Sequence, residues 1–348
     1  MNLLLSFFLL LFSALAWAGQ TVDIDHPVAH DVFGNGNPPD GRAPGDDPAR
    51  LMHFSPEHSN PDKPAHDFRD NVVHIRRGAQ VKGRVYGAYG NGAGSSLSSL
   101  NPIPNAVRNT VRITEGGSVR GDVYGGFAAG AAASLELNVN ASSNTVLIEG
   151  AAVGGRVYGG YARVHPSAQG DLAAATGNTV TLSGKAVFDA EKSELYGGKT
   201  ENAAERDAEA FGGNTLNVWN YTGSAVASLQ NFERLDFILP AALPPGGVVL
   251  RVAGNAHLND RTAQARPSRI TGIHLPDEAA RLAPGYSVIL IQTGGVLDGA
   301  NFNQSRAYGK HGTIFYEWEL SVTMNQLIAT LIALHREDPD TPAFDFSS

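Results

Sequence analysis

The chain of 348 residues contains no cysteine. That excludes disulfide staples, thiolate metal sites and a thiol nucleophile. Charge is also sparse, at 17% of residues against a usual level of about 25%. The net charge is −8, a sign that argues against nucleic acid or an anionic membrane as partner. Long apolar runs are missing apart from one near the start. Leu3 to Phe12 is apolar except for Ser6, and is shorter than the roughly 20 residues that cross a bilayer. It leads to Ala16-Trp17-Ala18. Small residues at Ala16 and Ala18 suit the subsites of a signal peptidase, so residues 1–18 read as a signal peptide cleaved before Gly19. Its n-region carries no Lys or Arg. Export without cysteine fits a bacterial envelope or surface protein better than a disulfide-dense secreted module. The expected location is past the inner membrane, at the cell surface or outer membrane or outside the cell. The periplasm is the alternative.

What is abundant is glycine, at 40 residues. Proline is concentrated in residues 19–70, which hold eight of the 19 in the chain. This stretch also carries ten acidic and four basic residues, so −6 of the −8 net charge lies there. Proline removes donors and fixes φ, and the segment reads as an extended, disordered leader. His26, His30, His53, His58 and His66 accompany its aspartates, but their irregular spacing and the lack of Cys favour a solvated tail over a metal site. Gly45-Asp46-Asp47 offers paired carboxylates of the kind glycoside hydrolysis needs. It lies in the leader, without Asn-Thr-Asp or Gly-His-Gly elsewhere, and reads as an acidic turn.

From residue 71 a unit recurs. Asn71-Val72-Val73-His74-Ile75 precedes Gly83-Arg84-Val85-Tyr86-Gly87. Asn109-Thr110-Val111-Arg112-Ile113 precedes Gly121-Asp122-Val123-Tyr124-Gly125-Gly126. Asn144-Thr145-Val146-Leu147-Ile148 precedes Gly155-Arg156-Val157-Tyr158-Gly159-Gly160. Asn178-Thr179-Val180-Thr181-Leu182 precedes Leu195-Tyr196-Gly197-Gly198, and Asn214-Thr215-Leu216-Asn217-Val218-Trp219 stands alone. The leading Asn residues are 38, 35, 34 and 36 apart, a period that marks stacked repeats.

The pattern within a unit names its structure. Val111 and Ile113 share a parity, and so do Val119, Gly121 and Val123, so each piece is a strand with one apolar face. Arg84, Arg112, Arg120 and Arg156 lie on the other parity, as solvated surface. Gly pairs after each Tyr read as corners needing positive φ. Each Asn suits a turn, and Asn residues stacked in register have one another as partners. One unit cannot bury its apolar face alone, whereas stacked units can. The β-branched residues and period-2 alternation oppose the helical repeats of similar length. Two clear strands per unit oppose a propeller. The expected fold is all-β: a parallel β-helix, or β-solenoid, over 71–220, right-handed by the crossover preference of parallel strands. The Ala-, Ser- and Gly-rich connectors (90–108, 128–143, 162–177, 199–213) are expected to bulge from one face. Residues 221–335 still alternate without the repeat, with a hairpin turning near Asn325. They form the expected C-terminal cap over the last coil's open edge. Residues 336–348 read as a disordered tail.

Candidate site residues follow from recurrence. Tyr86, Tyr124, Tyr158 and Tyr196 share one position, with Tyr89, Phe127 and Tyr161 three residues on. An exposed ladder would be a surface for glycan or protein contact; stacking that seals a corner is what packing alone requires. There is no Gly-x-Ser-x-Gly elbow and no phosphate-binding Gly-Lys loop. No catalytic residue, metal ligand or cofactor is expected.

The signature N-T-V-x-I followed by G-x-V-Y-G-G, ending in NTLNVWNYTGSAVASLQNFERLDFILP, resembles the passenger regions of Gram-negative autotransporters. GTIFYEWELSVTMNQLIATLIAL is similar to that family's last passenger strands. The resemblance covers residues 71–334 and lacks the family's outer-membrane β-barrel. It implies an exported, surface-displayed or secreted adhesin-like structural protein without catalytic activity. The implied partners are a host-surface or glycan ligand, further copies of itself, or a separately encoded barrel. A polysaccharide lyase or hydrolase, and an inert passenger fragment, are the alternatives.

Overall fold

A computed structural model describes residues 19–35, 68–91, 105–130, 139–165, 172–203, 208–260, 266–275, 282–299 and 301–336. The signal-peptide reading, the Gly45-Asp46-Asp47 turn, His53, His58, His66 and the tail beyond Arg336 fall outside these residues. Every regular element among the described residues is a β-strand.

The five Asn-led segments form the middle of a parallel eight-stranded sheet. Its strands, in order, are Thr21–Ile24, Val72–Ile75, Thr110–Ile113, Thr145–Glu149, Thr179–Gly184, Thr215–Tyr221, Arg234–Ile238 and Arg269–His274. Val73, Val111, Val146 and Val180 align in one column, and Ile75, Ile113, Ile148 and Leu182 in another. All eight are fully buried. Short strands such as Gln80–Val81 and Ser118–Val119 form a four-stranded sheet, and the Val-Tyr pairs seed a ten-stranded sheet. The inward residues of all three sheets share one core. The chain is thus a parallel β-solenoid in which one repeat makes one coil.

One corner is stacked coil over coil. Asp70, Arg108, Ser143, Gly177 and Gly213 each precede a leading Asn, and each has φ between 57° and 70°. Only the last two are glycine, so the others adopt a left-handed conformation that costs an L-residue about 1–2 kcal/mol. The compensating contacts lie next door. Asn71, Asn109, Asn144, Asn178 and Asn214 are buried, and their amides form a continuous ladder. Each Nδ2 donates to the Oδ1 of the next Asn, at 3.0, 3.0, 3.1 and 3.2 Å. That same Oδ1 also accepts the backbone N–H of the preceding Asn, at 2.9 to 3.0 Å. A buried amide left unpaired would cost about 1–3 kcal/mol.

The Gly pairs differ from the sequence reading. They are not positive-φ corners: Gly125, Gly126, Gly159, Gly160, Gly197 and Gly198 all keep negative or extended φ. Gly159-Gly160 and Gly197-Gly198 lie inside the strands Val157–Arg163 and Glu194–Glu201. Their role is close approach. A Cβ on Gly159 would overlap the Gly197 carbonyl oxygen and stand 2.7 Å from the Asn178 Cβ. One on Gly160 would overlap the Ala141 carbonyl oxygen.

The connectors do more than bulge. Val139–Asn140, Ala173–Ala174 and Ala208–Glu209 form a three-stranded sheet. Beneath this sheet Ala88, Ala106, Ala128, Ala141, Ala162, Ala173 and Ala175 make a second, small core.

Both domain boundaries shift. Residues 19–35 are not a disordered leader: Thr21–Ile24 pairs with Val72–Ile75 and Val32–Phe33 with Val85–Tyr86, making them the first coil. Pro27 is the only proline among them, and the other seven counted against the leader lie beyond residue 36. Nor does the stack stop at Asn220. Arg234–Ile238 and Arg269–His274 extend the eight-stranded sheet, and Ser228–Gln230, Ala256–His257 and Leu297–Asp298 extend the ten-stranded one. What ends near Asn220 is the sequence repeat.

A five-stranded sheet closes the C-terminal end, in the order Val248–Val252, Ser287–Thr293, Gln326–Arg336, Ile314–Val322, Arg306–His311. Its first pair is parallel and the other three are antiparallel. That change of polarity ends the parallel stacking. The hairpin 314–336 contributes Trp318, Leu320, Leu327, Ala329 and Leu331 to the main core. The last strand of the eight-stranded sheet is covered by a side chain: the Gln304 amide accepts the N–H of Ile270 at 2.7 Å and donates to its carbonyl at 2.9 Å.

Candidate functional site

The four recurring tyrosines sit where the ten-stranded sheet turns away from the main core. Val157 faces that core and Tyr158 the opposite side. Phe33, Tyr86, Tyr124, Tyr158 and Tyr196 stack as parallel rings, with centroids 4.9, 4.7, 4.8 and 4.9 Å apart. A second file, Tyr89, Phe127 and Tyr161, runs beside the first with centroids 4.9 Å apart. The files meet edge to face at Tyr86–Tyr89 and Tyr124–Phe127, both at 5.4 Å. Both geometries suit the ring quadrupole.

This arrangement overturns the exposed-ladder reading. Tyr86, Tyr124, Tyr158 and Tyr196 are only 2, 6, 3 and 9% exposed, because each ring is covered by its neighbours above, below and beside it. They offer no open aromatic face to a glycan or protein. Where the second file would continue, Lys199 pairs with Tyr161 in register. Its Nζ stands 5.3, 5.4 and 5.7 Å from the ring centres of Tyr196, Tyr161 and Tyr158, closing the file with cation–π contacts.

A charged column borders the rings. Asp31, Arg84, Asp122, Arg156 and Glu194 each precede one of the stacked strand positions, so the signs alternate coil by coil. Arg84 Nε lies 3.3 Å from Asp31 Oδ2, and Arg156 Nε lies 3.2 Å from Glu194 Oε2. Asp122 Oδ1 accepts the Arg156 N–H at 2.7 Å and Oδ2 accepts the Tyr124 hydroxyl at 3.2 Å. Tyr196 donates to Glu194 at 2.7 Å. Arg84 and Arg156 are therefore members of an interstrand column and not free solvated surface. The alternation of sign was present in the sequence at one repeat position, and parity alone did not reveal it.

The electrostatics of this corner are those of packing. Burial pushes the phenols of Tyr86, Tyr124 and Tyr158 upward from their usual range, so they stay protonated. Burial, and then the nearby Arg156 charge, hold Lys199 below its usual value. Among the described residues no cluster of three His, Asp or Glu could hold a metal. His26 contacts Asp25 and His30 contacts the Asp31 carbonyl. A groove of about 530 Å³ lies between the last coil and the cap hairpin, lined by Leu297, Phe302, Asn303, Gln304, Leu320 and Val322 among others, with no ionisable side chain. No family model, curated protein or solved structure matches this chain.

Proposed function

We propose that the protein is an exported, non-enzymatic structural protein, displayed on the cell surface or secreted, of the kind that autotransporter passengers exemplify. The observation supporting this reading is the destination of the polar and aromatic side chains. The Asn ladder, the ring files and the alternating charge column all face neighbouring coils. The repeats therefore build length and stiffness. With strands about 4.8 Å apart, the eight-stranded sheet extends the molecule roughly 35 Å along its axis. Such a rod carries a surface away from its anchor, which suits adhesion or self-association.

Protease added outside intact producing cells tests this, with a periplasmic protein as leakage control. Cleavage or shedding of the mature chain from intact cells is the expected result. Protection until the outer membrane is permeabilised overturns surface display and turns the search to periplasmic partners.

A further inference from the structure

The net charge of −8 conceals a partition. Residues 68–130, the second and third coils, carry eight Lys or Arg and three Asp or Glu, a surplus of +5. Arg76, Arg77, Lys82, Arg112 and Arg120 are all exposed. They form a belt around one edge of the solenoid. Arg112 lies on the outer face of the eight-stranded sheet, beside His74 in register. Arg76 and Arg77 follow at the adjoining corner. The four-stranded sheet is only two residues wide here and turns Gln80 and Ser118 outward. Lys82 and Arg120 stand at its far side.

The last two depart from the commoner pattern. Arg84 lies between Asp31 and Asp122, Arg108 on Asp70 at 2.7 Å and Arg76 on Asp23 at 2.9 Å, and the like-charged Arg234 and Arg269, also in register, have Glu233 beside Arg269 at 3.9 Å. Lys82 and Arg120 directly follow the paired Val81 and Val119, which places the backbones of two like-charged residues one strand spacing apart, about 4.8 Å. Neither has a carboxylate partner among the described residues. Like charges directly opposite in a sheet destabilise it. An anionic group seated between them removes that repulsion.

We propose that this belt is a docking surface for an anionic polysaccharide, with Lys82 and Arg120 sharing one carboxylate or sulfate group. The choice of polymer uses two observations and one premise. None of the exposed large apolar residues lies among the described residues of 68–130, so that described face offers a bilayer no apolar anchor. Tyr86, Tyr89, Tyr124 and Phe127 are buried and Phe68 is half-buried against the alanine core, so these rings offer no open π-face to unpaired bases. The premise is the exported location proposed above, where such polysaccharides are met.

Binding of the purified full chain to heparin oligosaccharides, read across a salt series, tests the site without reference to location. The inference and the surface-display reading therefore fail separately. The wild type is expected to bind at physiological ionic strength, and K82E/R120E about tenfold more weakly, with a shallower salt dependence. K82E alone sets a carboxylate beside the Arg120 guanidinium and is expected to weaken binding while holding or raising the melting temperature. That opposition separates loss of a site from loss of fold. A double variant that binds like wild type overturns the site. Equal affinity for duplex DNA of matched charge, or stronger binding to anionic phospholipid vesicles, overturns the choice of polysaccharide.

Discussion

Two parts of one stack obey different rules. Between Asn71 and Trp219 the coils repeat residue identities: Asn lies over Asn and Tyr over Tyr. From Tyr221 onward the eight-stranded and ten-stranded sheets continue with neither ladder. Leu235 and Phe237 lie in register with Leu216 and Val218, followed by Ile270 and Ile273, all buried. Apolar burial is non-directional, so an apolar column accepts Leu over Val or Phe over Leu. An amide ladder does not, because each donor needs its acceptor at one place. Sequence repeats persist where one buried directional contact recurs in every coil and lapse where the stacked columns are apolar.

Glycine gives the sharpest test of this contrast. Gly160→Ala in the repeat region would drive a Cβ into the Ala141 carbonyl and the Asn178 amide. The Ala141 backbone and the Asn178 amide, fixed in the buried ladder, cannot readily yield, so a loss of more than about 3 kcal/mol is expected. Gly246, in the later part, has φ 73° and nothing within 4 Å of an added Cβ. Gly246→Ala should lose only the left-handed penalty, about 1–2 kcal/mol. Urea denaturation of the two variants compares them. Equal losses would mean that the Gly pairs serve conformational freedom after all.

The same contrast explains what could be read in advance. The parallel solenoid followed from parity in Val111, Ile113, Val119 and Val123, and from the recurring Asn. The first coil was hidden because Val22 and Ile24 keep the apolar parity without the Asn-Thr-Val signature, close to a proline-rich run. Coils after Asn220 were hidden for the same reason: apolar columns leave only a weak pattern. The tyrosines were found by recurrence, but recurrence does not say which side a ring packs against. Only the neighbouring file, three residues on, decided that they are covered. The Gln304 cap on Ile270 had no local signal, because its partner lies 34 residues away.

A smaller effect is expected from the amides, and it should differ between the two parts. Asn144 is fully buried. It donates to Ala106 O at 2.9 Å and to Asn178 Oδ1 at 3.1 Å, and accepts both Asn109 donors at 3.0 Å. Asn144→Ala strands those groups away from water and should lose about 2–4 kcal/mol. Gln304 makes its two bonds to Ile270 at a partly exposed edge, where water can replace it. Gln304→Ala should lose about 1 kcal/mol. Calorimetric melting of both variants measures the difference. A Gln304 loss as large as that of Asn144 would show that the end of the stack is as demanding as its interior.

The smallest expected effect is a difference of sign between two histidines on the outer face of the eight-stranded sheet. His74, in the repeat region, is held below its usual pKa by burial and then by the Arg76 charge, against a weaker pull from Asp23. Its Nε2 is buried without a partner, so a proton there meets no acceptor. His274, in the later part, is raised, chiefly by its hydrogen bond to Asp236, against burial. The Lys310 N–H aimed at its Nδ1 favours the neutral ring, but at 3.3 Å that contact is weaker than the carboxylate's pull. For His74 the folded chain binds fewer protons than the unfolded one, so stability falls as pH drops below about 6.5, the unfolded value. For His274 the folded chain binds more. Its contribution is fully present below about 6.5 and is lost as pH rises through the raised folded value. Melting temperatures between pH 5 and 8 should therefore move in opposite directions: His74→Gln gains relative to wild type at the acid end, and His274→Gln loses there. Parallel shifts in the two variants would mean that the burial of His74 and the Asp236 hydrogen bond of His274 do not set the two titrations apart.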